Sequence, residues 1–167
     1  AKWGVKTDQV GIMGFSAGGH LASTIATQSR GDAKPNFQIL FYPVISFDPA
    51  FTHMLTREDL IGKDASADDV LLYSNEKQVT SDTPPAALFH SADDKGVKVE
   101  NSIRYFNALR AAGVRTELYI FPTGGHGWGF TTMETAGRDR LGKYRPAFFD
   151  ALYAFLDDMA ASSSETE

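Results

Sequence analysis

Val10 to Ala22, VGIMGFSAGGHLA, reads as a short apolar strand, a glycine-bounded turn with Ser16 at its tip, and the start of a helix. Gly14-Phe15-Ser16-Ala17-Gly18 fits G-x-S-x-G, the pattern of a nucleophile elbow. A serine at the apex of so sharp a strand-to-helix turn sits in a strained backbone conformation. Side chains at Gly14 and Gly18 are expected to collide with the neighbouring strand and helix, which makes both positions glycine. The free N–H groups of the following helix point back at the turn, where an anion can be held. A glycine-rich connection without chemistry shows the same local pattern, so the rest of the chain has to decide.

Outward from the elbow, strands and helices alternate. Gln9 to Phe15 is nearly all apolar, as a strand buried on both faces of a parallel sheet should be. Ala17 to about Ser29 is a helix of Ala, Leu and Ile. Phe37 to Ile45, FQILFYPVI, is a second strand with Pro43 near its end. Ser46 to Thr83 leaves the alternation. It reads as an excursion over the sheet edge with one short helix, Ser66 to Ser74, capped by Ser66 or Asp64. Ala86 to His90 is a third strand. Val99 to Ala112 is an amphipathic helix with Val99, Ile103, Phe106 and Leu109 or Arg110 on its apolar face, closed by Gly113. Thr116 to Phe121 is a fourth strand and Pro122 to Gly142 a long glycine-rich loop. Arg145 to Ala160 is the last helix, with Pro146 in its first turn and Phe149, Leu152, Leu156 and Met159 on one face. The pattern predicts an α/β fold, a mostly parallel sheet flanked by helices, in one domain over 1–167 with the excursion at 46–83.

Ligands of such folds lie beyond the carboxyl ends of the strands. That rule selects Ser16, the stretch from Pro43 to Asp48, Asp93 with Asp94, and the loop of His126. Asp93, in HSADDKGV, is placed to orient a histidine and to stabilise its imidazolium. His126, in PTGGHGWGF, has glycines on both sides that let the ring reach a ligand. Alone, each has an ordinary reading as a capping acid or a solvated loop histidine. Together they follow the serine in the order nucleophile, acid, histidine, each just after a strand. That is the chain order of α/β-hydrolases and not of chymotrypsin or subtilisin.

With those residues in view, the chain resembles the C-terminal two-thirds of an α/β-hydrolase serine esterase, of the carbohydrate (acetyl-xylan) esterase type that lies near the prolyl oligopeptidase-like hydrolases. The resemblance rests on GFSAGGHLAS at 14–23, TPPAALFHSADDKGVKVENS at 83–102 and ELYIFPTGGHGWGF at 117–130, and spans about Trp3 to Asp157. It implies a triad of Ser16, Asp93 and His126, with Asp93 as the first acid of A-D-D-K, and an oxyanion donor at Ala17. Two departures stand out. Gly96-Val97-Lys98 replaces the Val-Val-Pro of many relatives, which is expected to loosen the acid loop. The H-G-G-G-type oxyanion segment that precedes the elbow in relatives is absent from this sequence. The resemblance thus implies earlier strands and a helix, on the order of 70–100 residues. The expectation is an N-terminally incomplete domain whose first strand is a bare sheet edge that invites self-association, with a second oxyanion donor supplied from outside the chain.

The expected reaction is hydrolysis of small carboxylic esters, with acetylated sugars as the expected substrates, through an acyl-enzyme and with no metal or cofactor. The substrate is a small-molecule or oligosaccharide ester. A prolyl oligopeptidase-like peptidase and a non-catalytic hydrolase-fold binding module are the alternatives. Dienelactone hydrolysis is disfavoured because the elbow has no cysteine. Trp128 and Phe130 form either an apolar, sugar-stacking wall for substrate or part of the core. His20 reads as a packed helix residue, His90 as buried support, and His53 as lining a pocket or facing water. Arg138, Arg140, Lys143 and Arg145 read as a solvated face.

Composition sets outer limits. A net charge of −5 argues against nucleic acid and against anionic membrane surfaces as partners. The absence of cysteine excludes disulfides and thiol chemistry and leaves the compartment open. No signal peptide and no membrane-spanning run is visible.

Overall fold

The computed structural model describes residues 4–129 and 139–162. Four parallel strands form one sheet in chain order: β1 (Gly11–Phe15), β2 (Phe37–Phe41), β3 (Ala86–Ser91) and β4 (Thr116–Phe121). The register pairs Phe15 with Phe41, Phe41 with Phe89, and Phe89 with Tyr119. Parallel neighbours need crossovers, which α1 (Ala17–Gln28) supplies between β1 and β2 and α4 (Glu100–Ala111) between β3 and β4.

Side chains alternate across the sheet and so divide the core in two. Ile39, Phe41, Ala87 and Phe89 pack on one face against α5 (Arg145–Ser162). Leu40, Ala86 and Leu88 pack on the other with Ala22 of α1 and Tyr105 and Leu109 of α4. β3 is buried along its whole length, its polar end of His90 and Ser91 included. The outer strands are wetter, with Met13 of β1 43% and Ile120 of β4 41% exposed. No helix among the described residues is long and apolar enough to cross a membrane.

Several element ends and faces differ from the sequence reading. β2 stops at Phe41 rather than Ile45, because Tyr42 turns into the left-handed region at φ 35° and Pro43 follows with no N–H to offer a ladder. On α5 the buried face holds Leu152 and Met159 as expected, with Phe148 and Phe155 in place of Phe149 and Leu156. On α4 the buried residues are Asn101, Ser102, Tyr105 and Leu109, so the inward face begins with polar side chains. Both make buried hydrogen bonds, which a search for apolar spacing overlooks.

The excursion holds two short helices. α3 (Ala67–Leu72) is shorter than expected, and Ser66 caps it in a reciprocal capping box with Asp69. α2 (Met54–Ile61) was not foreseen. Its Leu55 and Leu60 are exposed, and its N-cap is His53, whose ring accepts from the Thr56 N–H. Two asparagines pin this region to the core. Asn101 Oδ1 accepts from the N–H groups of Ile45 and Ser46, both at 3.0 Å, and its amide donates to Phe51 O. The Asn75 amide donates to His20 O and Ser23 Oγ on α1. A third apolar cluster of Val44, Phe47 and Val97, with Ile61, Val70 and Tyr73 against it, fills the space between.

Candidate active site

Ser16 sits between β1 and α1 at φ 53° and ψ −121°, a conformation that L-residues rarely adopt. The end of β2 holds it there. Its N–H donates to Phe41 O at 3.0 Å, and its carbonyl accepts from Val44 N–H at 3.1 Å. A Cβ on Gly14 would stand 2.3 Å from Gly18 O, so that glycine is required, as the motif implies. The expectation for Gly18 is corrected: a Cβ there meets nothing within 4 Å. The second tight position is Gly19, where a Cβ would approach Pro43 Cβ to 2.7 Å. The strand-to-helix corner is closed by Gly14 and Gly19. Gly18 fits the pattern without being needed for space. The N–H groups of Ala17 and Gly18, in the first turn of α1, have no carbonyl one turn back within the helix.

Ser16 Oγ lies 2.8 Å from His126 Nε2. On the far side of the ring, His126 Nδ1 lies 2.7 Å from Asp94 Oδ2. The acid facing the histidine is therefore Asp94 and not Asp93. Asp93 instead accepts the Gly125 N–H on Oδ1 at 2.8 Å and stays near the surface. The reason is the turn that follows β3. The strand runs to Ser91, one residue past the expected end, and Asp94 N–H then donates to Ser91 O. Asp94 Oδ1 accepts from the N–H groups of Gly96 and Val97 at 2.8 and 2.9 Å. These bonds swing Oδ2 towards His126 and leave the preceding aspartate pointing elsewhere. The Gly96–Val97 departure does not loosen the loop, because both residues donate to the acid.

Burial is the largest influence on Asp94 and pushes its carboxyl up. Hydrogen bonds from His126, His90 and the Val97 N–H together outweigh it and hold the group well below the usual carboxylate range. Asp94 is thus an anion that can only accept. His126 carries its proton on Nδ1 and leaves the Nε2 lone pair for the Ser16 hydroxyl, which donates to it.

The loop bearing His126 is anchored at several points. Gly124, Gly125 and Gly127 have φ of 150°, 61° and 82°, which makes glycine the natural residue at each. The Arg140 guanidinium donates to His126 O. Arg145 donates to Gly129 O and pairs with Asp139 at 2.6 Å. Two members of the expected solvated cation run are therefore loop anchors. The Tyr42 ring stands edge-on to His126, with centroids 4.8 Å apart. Trp128 is 1% exposed and packs edge-on to Phe41, Phe121 and Phe148, so it belongs to the core and not to a substrate wall. Phe130 and Arg138 lie outside the described residues.

The other histidines have structural partners. His20 is buried, stacks on Phe47 at 4.3 Å and donates from Nε2 to Tyr73 O. Burial holds its pKa below the ordinary value. Beside Ala17 a cleft of about 500 Å³ runs between α1 and α2, lined by His20, Leu21, Thr56, Asp59, Leu60 and Tyr73 among others.

The chain and its fold have known relatives. The chain is 46% identical over 134 residues to an acetylxylan esterase of Xylanibacter ruminicola, a match that covers 78% of this chain and 28% of the esterase. It is 34% identical, at a TM-score of 0.75, to the crystal structure of an acetyl ester-xyloside bifunctional hydrolase from Caldicellulosiruptor lactoaceticus, covering 90% of this chain and 59% of that one. An α/β-hydrolase from a deep-sea metagenome library shares the fold, at a TM-score of 0.70 and 24% identity, over 93% of this chain and 56% of that one. The chain thus spans little more than a quarter of the esterase and under two thirds of either solved structure. Residues 2–160 match the prolyl oligopeptidase family, and with that match and an α/β-hydrolase fold the chain belongs to this family.

Proposed function

We propose that this chain carries the catalytic apparatus of a serine hydrolase that cleaves carboxylic esters, with acetylated carbohydrate as substrate. The observation behind this reading is the continuous hydrogen-bonded line from Ser16 through His126 to Asp94. The Ser16 hydroxyl attacks the ester carbonyl while His126 Nε2 takes its proton, and Asp94 stabilises the resulting imidazolium. The Ala17 N–H supplies one donor to the oxyanion. His126 then passes its proton to the departing alcohol, which leaves the acyl group on Ser16 Oγ. Water attacks that acyl-enzyme by the same route in reverse and frees the acid. The cleft between α1 and α2, next to Ala17, offers room for the substrate. The acetylxylan esterase relative supports the choice of an acetyl ester on a sugar.

The family name supports a second reading, a peptidase acting on proline-containing peptides. One set of assays separates the two: p-nitrophenyl esters of increasing acyl length, acetylated xylo-oligosaccharides, and a proline-containing peptide. The proposal expects turnover of acetyl esters, lost by roughly 10⁴-fold or more in Ser16→Ala. Peptide cleavage without ester cleavage would overturn it, and so would ester cleavage that survives Ser16→Ala.

A further inference from the structure

Behind Asp94 stands a residue that the reaction above does not use. His90, on β3, is fully buried. Its Nε2 lies 3.0 Å from Val97 O and 3.3 Å from Asp94 Oδ2, and its Nδ1 lies 2.8 Å from Ser102 Oγ on α4. A carbonyl oxygen only accepts, so Nε2 carries a proton. The Ser102 hydroxyl is placed to donate to the Nδ1 lone pair, which suits the tautomer with its proton on Nε2. The shared Nε2–H therefore points at the same carboxylate oxygen that His126 uses. Both carboxylate oxygens are committed: Oδ1 to the N–H groups of Gly96 and Val97, Oδ2 to the two imidazoles.

We propose that His90 is a positioning residue for the hydrolysis, holding Asp94 charged and aimed at His126 through its Nε2–H, with Ser102 selecting the tautomer that makes this possible. The inference rests on the ester-hydrolase reading for its kinetic consequence, though not for its spectroscopic one. The geometry accounts for two otherwise odd features: a buried histidine facing a buried acid, and a serine on the inward face of an amphipathic helix. With the other tautomer, Nε2 would turn a lone pair to both Val97 O and Asp94 Oδ2, two repulsive contacts between fully buried groups.

The test compares the unmodified protein with His90→Leu, His90→Gln and Ser102→Ala. Gln retains an N–H near the Nε2 position and Leu retains only bulk. Three readouts are taken: kcat and KM on an acetyl ester, the pH at which the Asp94 carboxyl carbon titrates by ¹³C NMR, and the downfield ¹H signal of the His126 Nδ1–H. In His90→Leu, kcat should fall by about 10- to 100-fold, a loss of the size that removal of an outer-shell hydrogen-bond partner causes at metal-ligand sites, while KM stays unchanged. Asp94 should titrate at higher pH, and the downfield proton should weaken. His90→Gln should restore most of all three. Ser102→Ala should move Asp94 in the same direction by a smaller step, and it decides the matter if His90→Leu does not fold. Unchanged kcat and unchanged Asp94 titration in His90→Leu would overturn the proposal. So would equal damage from Leu and Gln with Asp94 titrating as before, since that pattern marks a packing role only. Ser16→Ala is measured alongside. If it retains activity, the hydrolase reading fails, while the NMR arms still report whether His90 holds Asp94.

Discussion

The elbow around Ser16 and the loop around His126 present the two halves of one hydrogen bond and are built on opposite principles. The elbow is held by its own backbone and by the end of β2: Ser16 bonds to Phe41 and Val44, and Gly14 and Gly19 allow the corner to close. Residues 122–129, around His126, lie outside helix and strand and are tied down by side chains from beyond that stretch, Asp93, Asp94, Arg140 and Arg145. Damage to the first should therefore appear as lost stability, and damage to the second as lost turnover in a protein that still folds.

The strongest way to break this contrast is at the two adjacent aspartates. Asp94→Asn should lower kcat by roughly 10⁴-fold, because an amide can donate to Nδ1 and favours the wrong tautomer. Asp93→Asn should cost at most about 10-fold, since it weakens one of several loop anchors. Equal losses would show that the loop acts as one unit without a distinct acid. At the elbow, Gly14→Ala and Gly19→Ala should each destabilise by about 1–3 kcal/mol in denaturant unfolding, the cost of overpacking. Gly18→Ala should fall within about 0.5 kcal/mol of the parent. A Gly18→Ala variant as damaged as Gly14→Ala would mean that the motif, and not the space, dictates the residue.

Acid sharpens the comparison further. The Asp94 carboxyl ionises below its ordinary value of 3.8 in the folded chain. Its contribution to stability is thus fully present above the unfolded value and is lost as pH falls from about 4 towards the folded one. Asp94→Ala should flatten acid unfolding in that window, and an unchanged curve would contradict the hydrogen-bonded geometry. The smallest effect is expected at β1. We propose that its outer flank can pair with a second copy of the chain, so that light scattering across a concentration series should show association, weakened in Met13→Lys. Identical masses for both proteins at every concentration would count against that pairing.

Much of this was legible in the sequence wherever local backbone chemistry decides the outcome. The four strands, the elbow, the Ser66 cap and the Gly113 helix end each follow from a few adjacent residues. What escaped depends on distant partners or on a count of one. The strand-end rule offered Asp93 with Asp94 and the resemblance chose the first, whereas the turn after Ser91 points Asp94 at His126, since neighbours in a tight turn point in different directions. Trp128 beside His126 stayed open between wall and core because its core neighbours come from β2, β4 and α5. α2 lacked an apolar stripe and had a histidine as its cap. The inward Asn101 and Ser102 of α4 read as breaks in a hydrophobic pattern, and only the fold shows that they serve Ile45, Ser46 and His90.

The backbone at Ser16 and Tyr42 has a consequence for engineering. Both are non-glycine residues at positive φ, 53° and 35°, on the two strand ends that meet at the nucleophile. Each such residue costs on the order of 1–3 kcal/mol, so the fold is least relaxed where it is proposed to work. Selection for thermal tolerance alone should accept glycine at Ser16, which removes the hydroxyl itself, whereas the buried ring of Tyr42 holds that position against glycine. A library screened only for melting temperature would drift towards sturdier and inert proteins, so screens on this scaffold need turnover as a second criterion from the first round.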